Sequence, residues 1–203
     1  MKRYIKIVLL ISLSSSVFVA CTEEEDVKTP TGPTYTTLAS YEVKLLGGQT
    51  NSNLGSFYST SEDSIYFTST AGLPINQSKI DFIYYFGSQT NDSSVIASPK
   101  DAVFNNPDDQ NPHKTVKTWT VKNNTLFLTL NTSAAAFNNM RNDSLLMNDL
   151  DSNVKATKIT KLKVGDVVGF KTATGKLGAY HVRAINNTNA ISRAITIDVK
   201  VQE

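Results

Sequence analysis

Ile195-Thr196-Ile197-Asp198-Val199-Lys200-Val201 closes the chain and decides how the rest is read. Apolar and polar residues alternate without a break, the two-residue period of a strand with one apolar face. The pattern places Ile195, Ile197, Val199 and Val201 inward, and Thr196, Asp198 and Lys200 toward water. Upstream, Ile80, Phe82, Tyr84 and Phe86 alternate with Asp81, Ile83 and Tyr85, which describes a strand covered on both faces. Leu126, Leu128 and Leu130 alternate with Thr125, Phe127 and Thr129 in the same way.

Further strands are expected at 41–47, 56–60, 64–69, 115–121, 156–161, 166–172 and 176–185. Ala173-Thr174-Gly175 reads as a tight hairpin turn between the last two. Two helical interruptions break the pattern. Ser98-Pro99-Lys100-Asp101 combines a capping serine with proline at the first helical position, so a short helix is expected over 99–104. Ser133 can cap one or two short helices across 134–150, where Phe137, Met140, Ser144 and Met147 fall near one stripe. The expected fold is all-β, a β-sandwich or open barrel with one or two short helical insertions.

Composition sets the outer limits. The chain has 203 residues, 40% of them apolar, with 20 Lys+Arg against 18 Asp+Glu, two His and one Cys. One folded domain accommodates that length. A disulfide framework, a Cys-based zinc site and a strongly basic nucleic-acid binder are excluded. Residues 41–203 suffice for a single core, burying roughly 70% of the extended-chain surface without disulfides.

The N-terminus carries the strongest signal of location. Lys2, Arg3 and Lys6 precede the apolar run 7–19, which is shorter than the roughly 20 residues needed to cross a bilayer. Residues 1–20 therefore read as a signal peptide. Phe18-Val19-Ala20-Cys21 resembles the lipobox of bacterial lipoproteins, which implies cleavage before Cys21 and lipid on its thiol. Cys21 is then an anchor and not a nucleophile. Glu23, Glu24, Glu25 and Asp26 follow at once, and this acidic cluster resembles the surface-export signal of Bacteroidota lipoproteins. Residues 21–40, rich in Thr and Pro, read as the lipidated tether of the domain at 41–203. Loss of residues 1–20 removes Lys2, Arg3 and Lys6 and no acid, turning the net charge from +2 to −1. Nucleic acid is not an expected partner; the expected location is the outer membrane, facing the cell exterior.

Chemistry is harder to find. Catalysis needs a nucleophile with its base, two converging carboxylates, or a metal. No G-x-S-x-G, H-E-x-x-H or phosphate-cradling glycine loop occurs. His113 lies in a polar loop and reads as solvated; His181 lies in an expected strand and reads as a partly buried, satisfied histidine. An enzyme is not expected, although a pocket gathering Asp residues with His181 would be its signature. No cofactor is expected, with calcium the one candidate. Asp149, Asp151 and Asn153 make the D-x-D-x-N start of a calcium loop. Val154 then stands where such a loop wants Gly, and Thr160 where it wants a bidentate Glu. Asp108-Asp109 is a second, poorer candidate.

A glycan platform would use exposed aromatic faces. Trp119 and Tyr85 are the candidates, although Trp119 shares strand parity with Val121 and so leans toward the core. Asp63-Ser64-Ile65 and Asp143-Ser144-Leu145 resemble the short sites at which Bacteroidota O-glycosylate exported proteins, which makes Ser64 and Ser144 candidates for modification.

Three stretches look familiar together. Val164-Gly165-Asp166-Val167-Val168-Gly169-Phe170-Lys171-Thr172, Gly175-Lys176-Leu177-Gly178 and the terminal alternation through Gln202 resemble the ending of uncharacterised Bacteroidota surface lipoproteins. Leu46-Gly47-Gly48-Gln49 and Gly55-Ser56-Phe57 look similar to the start of the same domain. The resemblance implies an exported, lipid-anchored, β-rich protein and transfers no site residues. The expected function is a surface-anchored, non-enzymatic binding module, with glycan the leading ligand. The alternative is a structural or adhesive subunit of a surface protein assembly, with a hydrolase further behind.

Overall fold

The alternating C-terminal segment folds as an inner strand of a five-stranded antiparallel sheet. The structure, a computed structural model, describes residues 32–87, 93–105 and 112–203, and for 151–153 the backbone only. In chain order the elements are β1 (Leu38–Gly47), β2 (Phe57–Ser59), β3 (Ser64–Tyr66), α1 (Thr68–Ala71), α2 (Pro74–Gln77), β4 (Phe82–Phe86) and β5 (Ser94–Ala97). Two 3₁₀ turns follow, Ala102–Asn105 and Lys114–Thr118, and then β6 (Leu126–Thr129), α3 (Ala134–Asn139) and α4 (Ser144–Asn153). The chain ends with β7 (Lys158–Ile159), β8 (Val167–Lys171), β9 (Leu177–Asn186), a 3₁₀ turn Ala190–Ser192 and β10 (Ala194–Gln202).

One sheet runs β1-β10-β9-β8-β6 and the other β3-β2-β4-β5-β7. Their inner faces share one core, so the architecture is an all-β sandwich. Phe82 of β4 sits at its centre, with ring centroids 5.1 Å from Tyr58, 5.8 Å from Phe170 and 5.9 Å from Tyr180. Leu46, Val182, Ile195, Ile197, Val199 and Val201 close the core from the other sheet. Each such fully buried side chain contributes roughly 1.5–3 kcal/mol of transfer free energy.

Both outer faces are covered as well. Phe137, Met140, Leu146 and Leu150 of the α3–α4 segment pack on Val167, Leu177 and Ala179 of the first sheet. On the second sheet, Ile83, Tyr85, Val95 and Ala97 are roofed by Ala71, Phe104, Val116 and Trp119. The sandwich is therefore four layers thick, which is why β4 is buried on both faces, as its sequence indicates.

The covering layers also account for the departures from expectation. Asp198 and Lys200 do not face water: they are 8% and 4% exposed, because α3 lies over that side of β10. Residues 115–121 are not a strand. Val116 and Trp119 are both buried while Val121 is 41% exposed, and a three-residue spacing is what a 3₁₀ turn brings to one side. Gln77 fixes the exit of that turn by accepting the N–H groups of Thr120 and Val121. The expected helix at 99–104 is shorter and starts later, as the turn Ala102–Asn105. Ser133 does cap α3, its hydroxyl accepting the Ala136 N–H at 3.2 Å. The hairpin at Thr172–Lys176 closes with Gly175 at φ 89°.

Candidate functional site

Three strands and the segment after α3 converge on one polar cleft. β1 supplies Ser40 and Glu42, β10 supplies Asp198 and Lys200, and β9 supplies His181 and Arg183. Phe137 and Asn138 of α3, with Arg141 just beyond it, form the opposite wall of a cavity of about 460 Å³. That volume lies within the range of small-ligand sites.

Two irregularities in the sheet aim these side chains. Tyr41 pairs with Val199 and Lys44 with Ile197, so Glu42 and Val43 together oppose Asp198. On the other side, Ile197 pairs with Val182 and Thr196 with Ala184, which leaves Arg183 as the extra residue of β9. A bulge thus flanks Asp198 on each neighbouring strand, and bulges re-aim side chains beside functional sites. Val43 adopts φ 56°, a conformation that is costly for a β-branched residue. Its N–H is held by the Asp198 carboxylate at 2.9 Å.

Asp198 is the hub of the cleft. It also accepts from Arg183 Nη1 at 3.4 Å and lies 3.9 Å from His181 Nδ1. That nitrogen is buried and has no hydrogen-bond partner among the described residues. The His181 ring lies 5.7 Å from the ring of Phe137. Lys200 has a different task. Its ammonium donates to the carbonyls of Asn138 at 3.0 Å and Met140 at 2.7 Å, tying the negative end of α3 to the sheet. Burial first, and then the nearby Arg141 guanidinium, hold the Lys200 ammonium below its ordinary pKa; Glu42 and Asp198 oppose the shift.

The lining presents hydroxyl, carboxylate, amide, imidazole and cationic groups around one cavity. Ser40 is two strands from His181, roughly 10 Å across the sheet, so the two do not form a nucleophile–base pair. The Asp198 carboxylate is engaged by Val43 and Arg183.

The residues singled out in the sequence lie elsewhere. Trp119 and Tyr85 are 6% and 1% exposed and belong to the outer core of the second sheet, where Trp119 packs 5.5 Å from Phe57. They present no surface platform. Asp149, Asp151 and Asn153 lie in the C-terminal half of α4, with Leu150 buried between them. The backbone there is helical and not the loop that the motif describes. No group of three or more His, Cys, Asp or Glu converges as a metal site among the described residues. His113 is not solvated: it is 4% exposed, its ring lies 4.8 Å from Phe57, and Nε2 meets the Tyr84 carbonyl at 3.2 Å.

Ser64 is half-buried in β3, its hydroxyl donating to the Glu62 carbonyl, and Ser144 is half-buried as the first residue of α4. Cys21, Glu23, Glu24, Glu25, Asp26, Asp108 and Asp109 lie outside the described residues. Asp198, Lys200, Arg183 and Glu42 were not legible as a site. The available signal was that Asp198 and Lys200 share one side of β10, but nothing in the sequence showed that α3 would cover it.

Fold and cleft together define a four-layered β-sandwich protein with a polar pocket on one sheet face. The same fold occurs in the crystal structure of a DUF4466 family protein from Parabacteroides merdae, with a TM-score of 0.58 and 17% sequence identity. The match covers 82% of this chain and 54% of that one, so this chain spans about half the length of its structural neighbour. The sequence matches no family model and no curated protein.

Proposed function

We propose that this protein is a lipid-anchored, non-enzymatic binding module on the outer surface of a Bacteroidota cell, with glycan as its ligand class. The cleft between β1, β10, β9 and α3 is the binding site in this reading. The observation that carries it is the pair of bulges around Asp198 with the strained Val43 beside it, because backbone strain of this kind is retained where a surrounding site requires it. Ser40, Glu42 and Asn138 offer hydroxyl, carboxylate and amide partners for sugar hydroxyls. The lipobox-like segment ending at Cys21 and the acidic run 23–26 support display at the surface.

A second reading, a subunit of a surface assembly, is favoured by one observation. Phe67, Leu73 and Ile75 are 45%, 50% and 72% exposed within the single segment around α1 and α2. Against edge-to-edge assembly stands the bulge in β1, which blunts that sheet edge.

Three experiments test the proposal. Cys21→Ala should abolish metabolic lipid labelling, and deletion of 23–26 should make the protein inaccessible to protease on intact cells. Normal shaving of the deletion mutant would reduce the acidic run to a tether. A glycan array probed with the full chain tests the ligand class; a blank array together with a specific protein captured through Phe67, Leu73 and Ile75 would put the assembly reading first.

A further inference from the structure

We propose that the ligand of the cleft carries a carboxylate, as an acidic sugar does, and that Arg141 and Arg183 receive it. The inference rests on reading the cleft as a glycan site and adds the chemistry of the group recognised.

The charges point to a single negative group. Arg141, Arg183 and Lys200 face Glu42 and Asp198 around one cavity, three cations against two carboxylates. A monoanion cancels that excess. The cations differ in what they have left to give. Lys200 spends two of its three donors on the α3 carbonyls and is buried. Arg183 spends one nitrogen on Asp198, at the long distance of 3.4 Å, and its side chain is 46% exposed. Arg141 is exposed, and its guanidinium has no hydrogen bond or ion pair among the described residues. Two guanidinium forks with open donors therefore border the cavity, and the fork matches a carboxylate in two parallel hydrogen bonds.

The acids of the cleft leave donors open on both forks: Asp198 engages one nitrogen of Arg183, at 3.4 Å, and none of Arg141 among the described residues. Asp198 is occupied by the Val43 N–H and Arg183. Glu42 is exposed at the rim. Arg141 and Lys200 line the same cavity, two like charges that an incoming anion would bridge. The remaining lining, Ser40 and Asn138, suits the hydroxyls of the same sugar.

The test uses the full chain in mild detergent on an array that pairs uronate- and sialate-bearing glycans with their carboxyl-reduced counterparts. Arg141→Gln and Arg183→Gln are probed beside the parent, with thermal melting as the control for folding. Asn138→Leu reports on the cleft without changing its charge. Acidic glycans should bind, their reduced counterparts at least tenfold more weakly, and each Arg variant should lose roughly tenfold or more, as expected for a charged hydrogen bond. Higher salt should weaken the binding. Binding of reduced and acidic forms alike, sensitive to Asn138→Leu but not to the Arg variants, would overturn the carboxylate and leave the cleft as the glycan site. Glycan binding that no cleft variant alters, or no glycan binding at all, would overturn both. If melting shows Arg183→Gln to be unfolded, Arg141→Gln with the reduced glycans decides.

Discussion

The Asp198 carboxylate accepts the backbone N–H of Val43 at 2.9 Å, and Val43 stands at φ 56°. The bond and the strain belong together. A left-handed conformation costs a β-branched residue on the order of 1–3 kcal/mol, and it persists here because a buried carboxylate needs that donor. Val43 is 59% exposed, so little burial is lost on its removal. Val43→Gly should therefore stabilise the protein by about 1 kcal/mol, the relief of strain exceeding the entropic cost of glycine. Asp198→Ala should destabilise it by about 1–3 kcal/mol. Urea midpoints at unchanged slope measure both. A lower midpoint for Val43→Gly would show that no strain is stored there.

His113 makes stability depend on pH. Burial pushes its imidazole down to about 4, from an unfolded value near 6.5. The folded state holds the neutral ring, so the contribution is complete above pH 6.5 and is lost as pH falls toward 4. Between pH 7 and pH 5 the loss is about 2 kcal/mol. Asp81 works in the opposite sense: burial holds its carboxyl above the ordinary value, so acidification lifts a cost there. Comparing His113→Gln with the parent separates the two. The parent should lose more stability from pH 7 to pH 5 than the variant, and equal losses would contradict the assignment.

Trp119 reports on folding and not on ligand. It packs against Phe57 and is 6% exposed, so its emission should be blue-shifted in the folded protein and move red on unfolding. Trp119→Ala should cost roughly 3–5 kcal/mol. If the variant melted like the parent, the indole would have to lie at the surface.

Gly178 is a steric requirement. A Cβ there would stand 2.3 Å from Phe170 Cζ and 2.6 Å from the Lys200 carbonyl oxygen. Phe170 and Gly178 are register partners in β8 and β9, and the ring occupies the space a side chain would take. Gly178→Ala should cost about 1–3 kcal/mol through displacement of a core aromatic. Circular dichroism melts would reveal it, and an unchanged melting temperature would mean that Phe170 has room to move.

Much of the sandwich was legible because a strand with one apolar face writes its period into the sequence. β10, β4, β6, β8 and β9 all fall where alternation puts them. Some short elements were less visible. β5 at Ser94–Ala97 was not expected, and neither were the one-turn α1 and α2, whereas β2, β3 and β7 fall within the expected 56–60, 64–69 and 156–161. At 115–121 the β-branched residues favoured a strand, and the demand to bury Val116 and Trp119 on the second sheet overrode that preference.

The candidate site divides in the same way. Alternation along β10 was enough to put Asp198 and Lys200 on the side opposite Ile197 and Val199, because side-chain direction in a strand is a local property of the backbone. Whether that side meets water is not local. It depends on α3, some sixty residues earlier, whose last carbonyls receive the Lys200 ammonium across separations of 62 and 60 residues. The bulge that sets Glu42 and Val43 opposite Asp198 arises from pairing of β1 with β10, strands at opposite ends of the domain, which no single segment encodes. The sequence by itself thus determined the strands and their two faces. Only the tertiary structure decided which polar face was buried, and so where charged side chains could converge.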